Sequence, residues 1–167
     1  IRDVCFLPEG EVHSRAEDST PYQLARNENK YPQARIVAAA ELASDLTPAA
    51  LPELSKLLKD TDSAVRWWAA LGHLMRGQDA VTASDGAFRE ALRDDSPHVR
   101  IVAAQALVEY GTDDARAAAL KVLSELTSPQ ENGVLTSMSA LAAIEALGDK
   151  ASSLHTLVRE LNPTGPA

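Results

Sequence analysis

The segment LLKDTDSAVRWWAALG (Leu57–Gly72) returns without a gap as ALRDDSPHVRIVAAQA (Ala91–Ala106). Asp60 and Asp94, Val65 and Val99, and Arg66 and Arg100 each stand 34 residues apart. A self-repeat of that length marks helix pairs that cannot bury their apolar faces alone and do so by stacking on their neighbours. It predicts an all-α fold, an α–α superhelix or solenoid. The 167 residues hold about four such hairpins. Stacks of this kind mostly bind or brace, so the repeat speaks to architecture more than to chemistry.

Composition agrees. The chain is 45% hydrophobic but only 4% aromatic, with Ala and Leu making up the difference. Ala is the best helix former, and small side chains let helices approach closely. The formal net charge of −8 argues against nucleic acid, which needs a basic face. Polyanionic sugars and anionic membranes are disfavoured for the same reason. No apolar run has the length of a membrane span. The single cysteine, Cys5, cannot form an internal disulfide; that suits a reducing compartment, or equally a fold that needs no staple. The first residue is Ile1 and not Met, which reads as a domain excised from a longer protein.

Along the chain, residues 1–20 stand apart. IRDVCFL reads as a short strand or an extended arm, and PEGEVHSRAEDST, with Pro8 and Gly10 as breakers, reads as loop. This segment is expected to link to an upstream domain. From Pro21 to residue 162 helices are expected to follow one another: Pro21–Arg26 capped by Thr20, Gln33–Ser44, Pro48–Lys59 capped by Thr47, Ser63–Arg76, Asp85–Arg93, one from Pro97 that ends at Gly111, Asp113–Leu126, one from Asn132 or Thr136 to Leu147, and Ala151–Leu161. Ser, Thr or Asp precedes most starts and Gly77, Gly111 and Gly148 follow ends, the usual punctuation of helices. Residues 163–167 are expected to be a disordered tail. Within the repeat, Val99, Val102, Ala103, Ala106, Leu107 and Tyr110 follow the i, i+3, i+4, i+7 spacing of one buried helix face.

The pairs Asp60 with Arg66 and Asp94 with Arg100, each six apart and followed by Trp67-Trp68-Ala69-Ala70 and Ile101-Val102-Ala103-Ala104, resemble HEAT-type repeats over about Tyr22–Leu161. The resemblance implies an aspartate in the turn inside each hairpin and an arginine at the start of its second helix, the two forming a ladder between neighbouring repeats. An acid near a helix N-terminus is favoured by the helix dipole, which makes the arrangement physically reasonable. In the first repeat Asn29 stands in for the acid six before Arg35, so the rung there is expected to be weak. The last hairpin replaces the arginine with Ser137.

RDVCFLPEGE, with the later TPYQLAR and KYP, is similar to the segment that follows the catalytic domain in a group of bacterial sulfatases, related to heparan N-sulfatase and arylsulfatases, that carry a HEAT extension at their C-terminus. The nucleophile of that family lies in a Cys/Ser-x-Pro-x-Arg motif. Cys5 is followed by Phe6-Leu7-Pro8 without the arginine, and the family's metal-binding Asp and His residues have no counterpart. The resemblance therefore implies the non-catalytic end of such an enzyme, periplasmic or secreted; a free-standing protein would be cytoplasmic.

Other candidate chemistry is sparse. His13, His73, His98 and His155 lack the spacing of a metal site. His73 aligns with Leu107 on the buried stripe and reads as a satisfied core histidine, with a Glu41–His73 functional pair as the alternative. The acidic turns Asp60-Thr61-Asp62, Asp94-Asp95 and Asp113-Asp114 lack the Gly and distal Glu of a calcium loop and read as helix caps. Arg66 and Arg100 suit either the ladder or anion binding. Trp68 lies on the core stripe. Trp67 points about 100° away and is either an exposed interface anchor or the cover of a helix seam. The expected contact surface is the second-helix face of Arg66, Trp67, Leu74, Arg100, Gln105 and Val108, with Asp60, Arg66, Asp94 and Arg100 as the ladder. The expected function is a structural or protein-binding module that is not itself an enzyme and uses no cofactor. Its partner would be its own catalytic domain or, in the alternative reading, another protein bound to a free-standing scaffold. A lyase or DNA-repair fold with its own pocket is the enzyme-class alternative, disfavoured by the acidic charge and the lack of paired catalytic groups.

Overall fold

The computed structural model describes Thr20, Gln23 and residues 26–161; the arm over 1–19, most of the expected first helix and the tail lie outside the described residues. The Thr20 amide donates to Gln23 Oε1 at 2.9 Å and the Gln23 amide donates to Thr20 Oγ1 at 3.3 Å, a reciprocal capping box.

The order that follows is α1 (Gln33–Ser44), a 3-10 turn (Pro48–Ala50) running into α2 (Leu51–Leu57), α3 (Ser63–Arg76), α4 (Gln78–Ala83), α5 (Asp85–Ala91), α6 (Pro97–Tyr110), α7 (Asp113–Leu126), α8 (Pro129–Asn132), α9 (Val134–Leu147), a 3-10 segment (Gly148–Leu154) and α10 (His155–Glu160). No strand occurs among the described residues, and the class is all-α. The expected boundaries of α1, α3 and α7 are those observed, and α6 starts as expected and ends at Tyr110, one residue before Gly111. Other details differ: the helix expected over Asp85–Arg93 stops at Ala91, and a short helix, Pro129–Asn132, precedes the eighth expected one. Pro48–Lys59 is not one helix but a 3-10 turn and a short α2 that stops at Leu57. Gln78–Ala83, read as a link, is helical: Gly77, at φ 82°, turns the chain sharply enough that one helix ends and the next starts on either side of it. The eighth expected helix begins at Val134, after Gly133 at φ 79°. The last expected helix, Ala151–Leu161, begins inside a 3-10 segment (Gly148–Leu154) in which Ala151 leaves helical geometry (φ −108°, ψ 17°), and is α-helical only over His155–Glu160.

The cap of α3 is Asp62, whose Oδ1 accepts from the amides of Ala64 at 2.9 Å and Val65 at 3.4 Å. α1 packs on α3, α3 on α6, and α6 on α9, while α2 lies against α3, α5 against α6, and α7 against both α6 and α9. The second helices thus follow one another as a row, with the first helices beside them. Val99, Val102, Ala103, Ala106 and Leu107 of the stripe are all buried, as are Val65, Ala69 and Ala70 one layer earlier.

Two contacts show how tightly the layers meet. At Gly72 an added Cβ would lie 3.0 Å from both Cα and Cβ of Ala43 and from Leu54 Cδ1, so α1 and α3 meet so closely that a side chain there would have to push its neighbours aside. One turn further, Arg76 reaches across to the end of α1. Its Nη1 donates to the carbonyls of Ala43 at 3.1 Å and Gly72 at 2.6 Å, and its Nη2 to those of Leu42 at 3.1 Å and Asp45. The last carbonyls of a helix have no partner within it, and a cation there satisfies both their hydrogen bonds and the dipole.

Candidate interaction surface

The ladder runs from each layer to the next. Arg66 Nε donates to Asp94 Oδ2 and its Nη2 to Asp94 Oδ1, both at 2.7 Å, a two-pronged pair whose side chains are only 16% and 10% exposed. Arg66 Nη1 meanwhile holds the backbone carbonyls of Asp60 at 2.9 Å and Thr61 at 3.2 Å. The Asp60 carboxylate pairs with Arg35 of the preceding layer. Each aspartate also closes its own turn, Asp60 Oδ1 accepting from the Asp62 amide and Asp94 Oδ1 from the Ser96 amide, each at 2.8 Å. The arginine at the start of one second helix is therefore tied to the acid of the following hairpin, so Asn29 does not weaken the rung of Arg35. The weak rung is the next one along. Arg100 meets Glu125 Oε2 at 3.7 Å, outside hydrogen-bonding reach, and its Nε–H is buried without an acceptor. With Gly148 set on Gly111 the register of Asp94 falls on Glu131, which is exposed, and the acid that Arg100 faces is Glu125 instead.

The expected contact face is only partly a surface. Val108 is fully buried on α6, and Arg66 is engaged as described. Trp67 and Leu74 are half-buried and packed against the core, which makes Trp67 the cover of a seam; its ring meets Trp68 edge to face at 4.8 Å between centroids. Trp68 is also half-buried and also packs on the core. Gln105 and Arg100 are half-exposed. Position 108 was misassigned because burial in a stack comes from the neighbouring hairpin as well as from the helix's own partner, so two faces of α6 are covered and its apolar residues run nearly all round it.

His73 is a core residue with no exposed area. Nδ1 lies 2.8 Å from the Ala69 carbonyl and so carries the proton, while Nε2 lies 3.1 Å from Ser55 Oγ. Its ring packs edge to face on Phe88 at 5.6 Å. Burial pushes its pKa below the ordinary 6.5, the Ala69 carbonyl opposes this, and the Arg76 charge adds to the lowering. Glu41 is exposed, and the partner of His73 is Ser55, which the sequence reading did not single out.

Three further features were missed in the sequence. Arg89, at the C-terminal end of α5, bonds Asp85, Asp114 and Thr112 at 2.7 to 2.8 Å and holds the Asp114 carboxyl well below the usual carboxylate range. Beside it Arg89, Arg93, Arg100 and Lys121 gather with Asp94 and Glu125 around a cleft of about 350 Å³. At the far end of the row, Met138, Leu141, Ile144, His155, Val158 and Arg159 line a mainly apolar groove of about 610 Å³ between α9 and α10. The four cations of the smaller cleft are scattered over 33 positions of an acidic chain, and only the fold gathers them. Among the described residues no cluster of His, Cys, Asp or Glu has the geometry of a metal site, and no helix is long and apolar enough to cross a membrane. Compared with known protein families and with curated proteins, the sequence has no significant match.

Proposed function

We propose that the chain is a non-catalytic helical-repeat module, a HEAT-type solenoid that forms the C-terminal part of a bacterial sulfatase and braces it or presents it to a partner. The observation that carries this is the Arg66–Asp94 rung, which joins one repeat to the next at the two residues whose 34-residue spacing defines the repeat. A fold built from such layers offers extended faces and has no need of an enclosed reaction centre.

Its contact face is the exposed side of α9. With Gly148 set on Gly111, Met138, Leu141 and Glu145 take the register of Ile101, Ala104 and Val108. Those three are buried one layer earlier, whereas Met138 is 61% exposed. What the earlier layer has in addition is a following hairpin. The occupant that fits is therefore a helix of the partner with small apolar side chains on its near face, continuing the repeat-on-repeat interface.

The coding sequence upstream of Ile1 tests the sulfatase reading: a Cys/Ser-x-Pro-x-Arg motif in an α/β domain is expected. Without it, the free-standing scaffold, which rests on the same side of α9, takes its place. Turnover of an aryl sulfate by this chain alone would overturn both, and Met138→Glu is expected to abolish partner binding without lowering the unfolding midpoint.

A further inference from the structure

The cleft beside Arg100 is independent of what the parent protein is. Its cations differ in what they already hold. Arg89 is committed to Asp85, Asp114 and Thr112, and both oxygens of Asp94 are taken by Arg66. That leaves Arg93, Arg100 and Lys121 facing one carboxylate, Glu125, which sits 3.7 Å from Arg100 Nη2 and 3.9 Å from Lys121 Nζ. Neither distance is a hydrogen bond. Arg100 Nε–H is buried with no acceptor, although its counterpart on Arg66 has one at 2.7 Å. The rest of the Arg100 guanidinium lies at the cleft, which is open and bears more positive than negative charge.

We propose that this cleft binds a carboxylate supplied from outside the chain, which Arg100 takes through Nη1 and Nη2, a two-pronged pair of the kind Arg66 makes with Asp94. Lys121 and Arg93 add charge at the rim. The planar fork of a guanidinium matches the planar carboxylate, and the preceding layer shows the product of that match within the same fold. The carboxylate comes either from an acidic side chain of a partner protein or from a small free dicarboxylate; recognition is the same.

The test is a titration of the ¹⁵N-labelled chain, following the Nε–H signals of its arginines, with glutarate, with a capped Gly-Glu-Gly peptide, with its Gly-Gln-Gly counterpart and with inorganic phosphate. The Arg100 signal is expected to shift and saturate with glutarate and with the glutamate peptide, while that of Arg66 stays in place and the glutamine peptide does nothing. Tighter binding of the peptide assigns the site to a protein partner, and tighter binding of glutarate to a free dicarboxylate. Arg100→Lys, which keeps the charge and loses the fork, should weaken binding about tenfold, with an unchanged unfolding midpoint showing that the fold is intact. Glu125→Gln, which removes the competing carboxylate, should tighten it. The proposal fails if the Arg100 signal does not saturate, if Arg100→Lys binds as well as the parent, if Glu125→Gln weakens binding, or if phosphate binds more tightly than either carboxylate.

Discussion

Arg66 and Arg100 open equivalent helices in successive layers, yet one has a carboxylate on both prongs and the other lies 3.7 Å from the acid it faces. Neither difference lies in the arginine or in the turn before it, since Asp60 and Asp94 close their own turns alike. The difference lies one repeat downstream, where Asp94 pairs with Arg66, whereas Glu131, in the same register of the degenerate last hairpin, is exposed and Arg100 faces Glu125 instead. A rung thus depends on two hairpins at once, and a repeat array ends, energetically, at the layer before the one whose sequence degenerates. Where the rung is complete it is structural; where it is incomplete the same side chain becomes available to a ligand.

The sharpest way to break this comparison is to remove the acid. Asp94→Ala leaves a largely buried guanidinium without its partner and removes the acceptor of the Ser96 amide, so a loss of about 2–3 kcal/mol is expected in chemical denaturation. A loss no larger than that of the matching change at Glu125 would show the two rungs to be equal. A comparable contrast exists at the row's other face. Gly72 aligns with Ala106, which is fully buried with its methyl accommodated, so α1–α3 is the closer of the two crossings. Gly72→Ala pushes a methyl against the backbone of Ala43 and should cost about 1–2 kcal/mol despite the gain in helix propensity. An unchanged or raised midpoint would mean that α1 moves aside freely.

Most of the fold was legible because the 34-residue repeat, the caps and the glycines all point the same way. Asp62, Gly77 and the Val99–Leu107 stripe need only local sequence to interpret. The ladder was legible as chemistry but not as direction. Asp60 and Arg66 are six apart in sequence, and nothing in that spacing says that the carboxylate of Asp60 belongs to Arg35 and that Arg66 takes Asp94. The candidate surface was the least legible part. Val108 looks like an outward position on its own helix and is buried by a neighbouring hairpin. The cleft depends on Arg89, Arg93, Arg100 and Lys121, which no local pattern connects. Ser55 and Arg76 were missed for a related reason: each acts on a group 18 or more residues away.

His73 sharpens the comparison through pH, since its repeat equivalent is the uncharged Leu107. Burial holds the His73 pKa below 6.5 in the folded chain, so on acidification the unfolded chain takes up its proton first. Stability should be level above pH 6.5 with respect to this group, fall as the pH drops through that value, and level off below the folded pKa. The slope is at most one proton, about 1.4 kcal/mol per pH unit. His73→Leu, which gives the second layer the residue of the third, should flatten that slope in acid denaturation. An unaltered slope would place the titration elsewhere, in groups that both layers share.

The smallest effect is expected at the loose rung, and its smallness is the point. Glu125 is half-exposed and beyond hydrogen-bonding distance of Arg100 and of Lys121, so its attraction for either is that of a solvated ion pair. Such pairs contribute about 0–1 kcal/mol and weaken further with salt. Glu125→Gln should therefore shift the denaturation midpoint by less than about 0.5 kcal/mol, and added salt should erase even that. Arg66→Gln by contrast should remain destabilising in high salt, because its pair with Asp94 is shielded from solvent and held by two hydrogen bonds. If the two variants respond to salt alike, Arg100 is as firmly tied as Arg66 and the ladder is complete through α7.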